Sequence, residues 1–260
     1  MADIDGVLLD IDGVLAVSWE PLPGGIEALG WMRSHDVPFR LITNTTTKTK
    51  ADLAETLRSA GFDVRDDEIV TAVVATAEYL RTHHAGQTAY LLSDGDARDD
   101  LDRIELARVE DADVIVLGGA YDGFSYPTMN RVFRRLMEGA PFVGMHRNLY
   151  WRTSEGLQLD AGAFIAGLEE ATGRTAVICG KPTGPYFDSA LAMLGVPAER
   201  AVMVGDDVVN DVRAAQLLGI RGGLVKTGKF LPGDLDKVPV PPDFVLDTIA
   251  DLPGLIEGPR

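Results

Sequence analysis

Short apolar, β-branched runs recur along the chain, separated by stretches in which apolar positions return every three to four residues. Runs at 7–10, 39–43, 89–92, 114–117, 142–145, 176–179, 201–204 and 223–225 predict strands, with a further short one at 244–246. The spaced stretches at 25–34, 51–60, 71–81, 128–138, 161–171, 185–194 and 209–218 predict helices, the second of them stopped by Gly61. Strands separated by helices imply parallel sheets joined by right-handed crossovers, so the expected fold class is α/β. The only internal echo is at the start, where Asp-Ile-Asp-Gly-Val-Leu occurs at 3–8 and again at 10–15.

The two copies are not equivalent. In open parallel sheets ligands sit beyond the carboxyl ends of the strands. Asp10 follows Val7-Leu8-Leu9 and precedes Gly13, which suits a strand end and a turn. Asp3 follows only Met1-Ala2, too little chain for a buried strand, so Asp3 and Asp5 are expected to be idle. Taken alone, Asp10-x-Asp12 also suits a solvated turn. Three further strand ends shift the balance: Thr43-Asn44, Gly180-Lys181-Pro182, and Gly205-Asp206-Asp207 with Asp211 close behind. All four are expected to converge on one crevice of a single sheet.

Together these segments resemble the haloacid dehalogenase (HAD) superfamily, whose motifs stand here in order as Asp10-x-Asp12, Thr43, Lys181, and Gly205-Asp206 with Asp211. The stretches LDIDGVL, ITNTT, GKP and VGDDVVNDVRAAQLLGIRGGLVKTGKF are similar to subfamily IIA, in the group around the phospholysine phosphohistidine inorganic pyrophosphate phosphatases. The resemblance implies a Rossmann-like parallel-sheet core and an inserted α/β cap of the C2 type. It also implies Mg²⁺-dependent phosphatase activity through an aspartyl-phosphate on Asp10, with Asp12 as general acid and base. Its metal ligands would be the Asp10 carboxylate, the Asp12 carbonyl oxygen and Asp206. Asp207 and Asp211 would lie outside them, orienting water or Lys181. Lys181 would neutralise charge, and Thr43 with the Asn44 backbone would hold phosphate oxygens.

The chemistry is coherent without the family. An enzyme that hydrolyses a phosphate monoester supplies up to about 28 kcal/mol, corresponding to ~10²¹-fold, and a covalent intermediate divides that barrier. Asp10, Asp12 and Asp206 crowd a dianionic phosphate, and two charges about 4 Å apart repel by roughly 4 kcal/mol at an effective dielectric of 20. A hard, oxygen-seeking Mg²⁺ relieves that repulsion.

Thr43 and Lys181 stand 138 positions apart, whereas one crossover needs about a dozen residues. The expected organisation is therefore a core at 1–76 and 176–260 with a cap inserted at 77–175, which would exclude water and select substrate. The stretch 16–24 is too short for a cap and suits a hairpin flap. Inside the cap, His146, Arg147, Asn148, Tyr150 and Trp151 follow a strand. They suit a substrate loop, and equally a surface loop or a dimer contact.

Composition narrows the partners. A formal charge of −16 over 260 residues disfavours nucleic acid and anionic membrane, while leaving room for a small phosphorylated substrate. One cysteine, Cys179, excludes an intrachain disulfide and a thiolate-rich metal cluster. Neither a signal peptide nor a transmembrane run is evident, so the expectation is a cytoplasmic protein, monomeric or paired through the cap. Gly223–Lys229 copies most of a P-loop, but Phe230 stands where Ser or Thr is required, so it reads as a loop after a core strand. His35, His83 and His84 lack zinc-ligand spacing. Three functions stay open: a small-metabolite phosphatase, a hydrolase of pyrophosphate or of phosphohistidine and phospholysine, and a weakly catalytic binding or regulatory protein.

Overall fold

In the computed structural model, residues 4–153 and 156–258 are described, and Asp3 and the side chain of Trp151 lie outside the described residues. The first apolar run forms β1 (Gly6–Asp10), buried along its length. A hairpin of β2 (Ala16–Val17) and β3 (Glu20–Pro21) follows, then α1 (Gly25–Ser34), β4 (Phe39–Thr43) and α2 (Lys50–Ser59). β5 (Ile69–Thr71) leads directly into α3 (Ala72–His83). Next come β6 (Ala89–Leu92), β7 (Val114–Leu117), α4 (Tyr126–Met137) and β8 (Phe142–Gly144). They precede β9 (Tyr150–Thr153), β10 (Gly156–Leu159), α5 (Ala161–Thr172) and β11 (Val177–Ile178). α6 (Gly184–Leu194) and β12 (Ala201–Gly205) follow, then a π-helical segment, Val208–Arg213, that runs into α7 (Ala214–Leu217). The described chain continues through β13 (Arg221–Val225), β14 (Phe244–Leu246) and α8 (Leu252–Glu257). Among the described residues, no helix is long and apolar enough to cross a membrane.

The chain divides into two compact units. The first takes the chain up to Thr43, Lys50–Val70 and everything from Lys181 onward; the second takes Asn44–Thr49 and Thr71–Gly180. In the first, six strands form a sheet in the order β14-β13-β12-β1-β4-β5, with β1 parallel to both β4 and β12. Val7 and Leu9 pair with Phe39 and Leu41 on one side and with Val202 and Val204 on the other. These residues pack with Leu29 and Met32 of α1 and Leu53 and Leu57 of α2, all withdrawn from water. Because strand order reverses at β1, a crevice opens where β1, β4 and β12 end.

The second unit has its own parallel sheet, β11-β8-β7-β6, and a separate antiparallel pair, β9 with β10. One face packs Val132 and Leu136 of α4 and Ile165 and Leu168 of α5. The other packs Ala72, Val73, Ala77 and Leu80 of α3 against Val116, Val143 and Cys179. The expected insertion at 77–175 lies inside this unit, which begins earlier because α3 buries its apolar face there.

Three expectations need correction. The helix expected at 71–81 begins one residue later, because Thr71 closes an unforeseen edge strand, Ile69-Val70-Thr71, whose β-branched side chains favour the extended backbone; Thr71 Oγ1 caps α3 by accepting from Val74 N at 3.1 Å. The run at 176–179 was expected in the core sheet beside the other motif strands. Instead Val177 and Ile178 pair with Val143 and Gly144 in the second sheet, so Lys181 follows no core strand. The helix expected at 209–218 is π-helical for its first turns.

Candidate active site

Three neighbouring strand ends, and the residue at which the chain returns to the first unit, build the site. Asp10 closes β1, Thr43 closes β4, and Asp206 follows β12. Asp10 is buried, and its Oδ1 accepts from Ile11 N at 2.9 Å and from Lys181 Nζ at 2.8 Å. Both bonds fall on Oδ1, which leaves Oδ2 for chemistry. Lys181 Nζ also lies 2.9 Å from Asp211 Oδ1, so one buried ammonium spans two buried carboxylates.

Asp206 is held by the segment after β13. Its Oδ2 accepts from Lys229 N at 2.8 Å, and Thr227 Oγ1 donates to Gly13 O at 2.6 Å. Gly13 and Gly228 both adopt positive φ, and a Cβ on either would lie 2.1 to 2.2 Å from Asp206 Oδ2. Both glycines are needed for the carboxylate to fit between two backbone segments. The sequence pattern does not single out Gly228 and Lys229, because the segment that carries them reads as an incomplete P-loop. Its only signal was position: a Gly-containing turn after the strand next to β12.

Charge is tightly balanced. Burial pushes the Asp10 carboxyl up while Lys181 pulls it down. Burial also raises Asp206, and it takes Asp211 to about 6. Burial alone would lower Lys181, but Asp10 and Asp211 outweigh it and hold the ammonium above its ordinary value. One oxygen each of Asp10, Asp206 and Asp211 lie within 4.8 Å of one another, and Asp206 Oδ1 is buried with no hydrogen bond. An all-oxygen, net-anionic cluster with such an oxygen fits a hard divalent cation.

The remaining candidates are placed as follows. Asp12 is exposed, in the turn between β1 and the β2–β3 hairpin. Asp207 Oδ1 caps the π-helical segment by accepting from Val209 N and Asn210 N, so Asp211 rather than Asp207 meets Lys181. Asp5 pairs with Arg200 well away from the cluster, its Oδ1 accepting at 2.7 Å. Asn44 begins the second unit, with its Oδ1 against Gly180. There His146 is buried 3.6 Å from Asp160, and burial lowers its pKa. Arg147 makes a two-pronged pair with Glu169 at 2.8 and 2.6 Å. Gly162 N donates to Asn148 O at 2.9 Å, and Tyr150 is exposed at the start of β9. Cys179 is buried and its thiol is pushed up to about 12, which removes it as a nucleophile.

Tyr186 was not anticipated. It is fully buried in α6, and its hydroxyl lies 3.1 Å from Thr43 O and 2.7 Å from Val70 O. These carbonyls belong to the last first-unit residues before two departures of the chain. Tyr186→Phe keeps the ring and removes the one hydroxyl that reaches both carbonyls. It is expected to cost about 1–3 kcal/mol in urea unfolding, with the slope unchanged; a loss under about 0.5 kcal/mol would deny the hydroxyl a structural role.

Comparison with known proteins agrees with this architecture. Residues 3–107 match the family described as haloacid dehalogenase-like hydrolase, and residues 178–252 match one described as HAD-hydrolase-like. The chain is 38% identical over 239 residues to haloacid dehalogenase-like hydrolase domain-containing protein 2 of Homo sapiens, covering 92% of this chain and 90% of that protein. It is 35% identical over 262 residues to phospholysine phosphohistidine inorganic pyrophosphate phosphatase of Rattus norvegicus, covering 98% and 95%. Among solved structures, 4-nitrophenylphosphatase from Thermotoga maritima has a TM-score of 0.89 at 30% identity, with 97% of each chain covered. NagD from E. coli K-12 has a TM-score of 0.88 at 28% identity, covering 96% of this chain and 98% of its own. With these matches spanning nearly its whole length, the chain belongs to the haloacid dehalogenase-like hydrolases, in the NagD-like subfamily IIA.

Proposed function

We propose that the protein is a Mg²⁺-dependent phosphatase that hydrolyses a small phosphorylated metabolite through an aspartyl-phosphate on Asp10. The observation that carries this is Asp10 itself: a strand-end carboxylate with Oδ1 engaged by Lys181 and Ile11 N, beside a carboxylate oxygen that has no hydrogen bond. The phosphatase name of the Thermotoga maritima structure supports the same reaction.

Asp10 Oδ2 attacks phosphorus as the bond to the leaving oxygen breaks, and Asp12 gives that oxygen its proton. Asp12, exposed to water, then takes a proton from a water molecule that attacks the same phosphorus, which frees Asp10 and phosphate. Lys181 pulls the Asp10 carboxyl back down against the effect of burial and offsets charge on the phosphoryl group. Thr43 and the Asn44 backbone donate to phosphate oxygens. Asp10, Asp206 and the Asp12 carbonyl would hold Mg²⁺, with Asp211 fixing Lys181. The ion supplies charge neutralisation at the phosphoryl oxygens.

Asp206→Asn tests the metal assignment. In the wild type, saturating Mg²⁺ raises the thermal midpoint, by about 2.7 kcal/mol of stability at a hundredfold excess over Kd. In the variant that rise is expected to vanish, while the metal-free midpoint goes up because a buried anion has been removed. Hydrolysis of p-nitrophenyl phosphate should fall by more than the roughly 10–100-fold that losing a ligand's outer partner costs. An unchanged Mg²⁺ response would defeat the assignment.

A second reading concerns the bond cleaved. The rat relative is named for phospholysine, phosphohistidine and inorganic pyrophosphate, which favours including P–N and P–O–P substrates among those screened by phosphate release. A purely binding role is disfavoured, since a binder has no need of a buried Lys181–Asp10 pair that costs desolvation.

A further inference from the structure

Lys229 has no part in the proposed reaction, yet the fold keeps it beside the carboxylates. Its N–H donates to Asp206 Oδ2 at 2.8 Å, which fixes its backbone against that side chain. The turn carrying it is closed by Thr227 Oγ1 donating to Gly13 O, and by Gly228 packed on the backbone of Gly13. From this anchor Nζ lies 3.2 Å from Asp207 Oδ2 and 3.6 Å from Asp206 Oδ1. The latter oxygen is buried and lacks a hydrogen bond. The Lys229 side chain is 60% exposed, so it can swing into solvent while its backbone stays bound.

We propose that Lys229 is an internal counter-ion for Asp206 and Asp207 that competes with the divalent cation for Asp206 and thereby sets the concentration at which that cation binds. The proposal rests on the reading of Asp206 as a cation ligand. Buried carboxylates without a cation are costly, and a tethered ammonium offsets that cost while no metal is bound. A metal that must displace the ammonium binds more weakly by the strength of the displaced pair. For one half-exposed charge a few ångströms away, this amounts to about tenfold in Kd.

The test is calorimetric titration of Mg²⁺, without substrate, into the full chain freed of metal by a chelator that is then removed. Lys229→Gln is expected to bind Mg²⁺ about tenfold more tightly than wild type and to have a lower metal-free thermal midpoint. Lys229→Arg, which keeps the charge, should stay within about twofold of wild type. Equal or weaker Mg²⁺ binding by folded Lys229→Gln would overturn the counter-ion role alone. That includes the outcome in which only the KM for p-nitrophenyl phosphate rises, which would make Lys229 a substrate contact. Binding by neither wild type nor variant would remove the metal site itself, and the proposal with it.

Discussion

Asp10→Asn is expected to abolish hydrolysis of p-nitrophenyl phosphate, with turnover down by about 10⁴-fold or more and the fold intact. The amide oxygen can still accept from Ile11 N and Lys181, so β1 and its turn persist. What disappears is the carboxylate able to form an acyl phosphate. Asp12→Asn should be comparably damaging at a different step, since leaving-group protonation needs its proton and water activation needs the carboxylate that results. Asp5→Asn is the control: it breaks a surface pair with Arg200, worth about 0–1 kcal/mol, and leaves turnover unchanged. Near-wild-type activity in Asp10→Asn, in a preparation free of host phosphatase, would remove Asp10 from the mechanism.

Lys181→Met is expected to produce the largest loss of stability. Lys181 lies between Asp10 and Asp211, all three buried, and removing the shared cation leaves two uncompensated charges. Breaking such a pair costs about 3–5 kcal/mol near neutral pH. The sign with pH follows from the carboxylates. Burial already raises both, Asp211 to about 6, and loss of Lys181 raises them further. A carboxyl raised above its unfolded value contributes stability that is present at low pH and is lost as pH rises through the folded value. Denaturant midpoints of Lys181→Met should therefore recover on acidification from pH 7.5 toward pH 5, narrowing the gap to wild type. A constant gap across that range would show that the loss comes from packing, not charge.

Much of the core site was legible because each residue stands where local chemistry announces it. Asp10, Thr43 and Asp206 each end an apolar run, and Asp211 follows five residues after Asp206. What local pattern cannot assign is the sheet to which a strand belongs. Ala176-Val177-Ile178-Cys179 looks like the strands before Asp10 and Asp206, yet it pairs with β8 in the second unit, because pairing is decided by long-range register. The strand Ile69–Thr71 goes unmarked in the pattern, and its last residue reads as the start of the following helix, since an apolar run abutting an alanine-rich one carries no boundary of its own. Gly228 and Lys229 acquire meaning only through backbone contacts with Gly13 and Asp206, more than twenty residues away in each case. Tyr186 is similar: its hydroxyl serves the carbonyls of two distant strands, which no periodicity reveals.

Two of the residues that suit a substrate loop, and equally a surface loop or a dimer contact, have charged partners within the second unit. Arg147 is paired with Glu169 and His146 is buried beside Asp160, so neither side chain is idle. Their spacing after a strand carried no information about these partners, which lie on or just before α5.

The central claim is a phosphoryl group carried on Asp10. Wild-type protein quenched in acid while turning over p-nitrophenyl phosphate with Mg²⁺ should yield a peptide phosphorylated at residue 10, labile to hydroxylamine and missing from Asp10→Asn. Turnover in the wild type with no phosphorylated peptide, or with the label on another residue, would contradict the account.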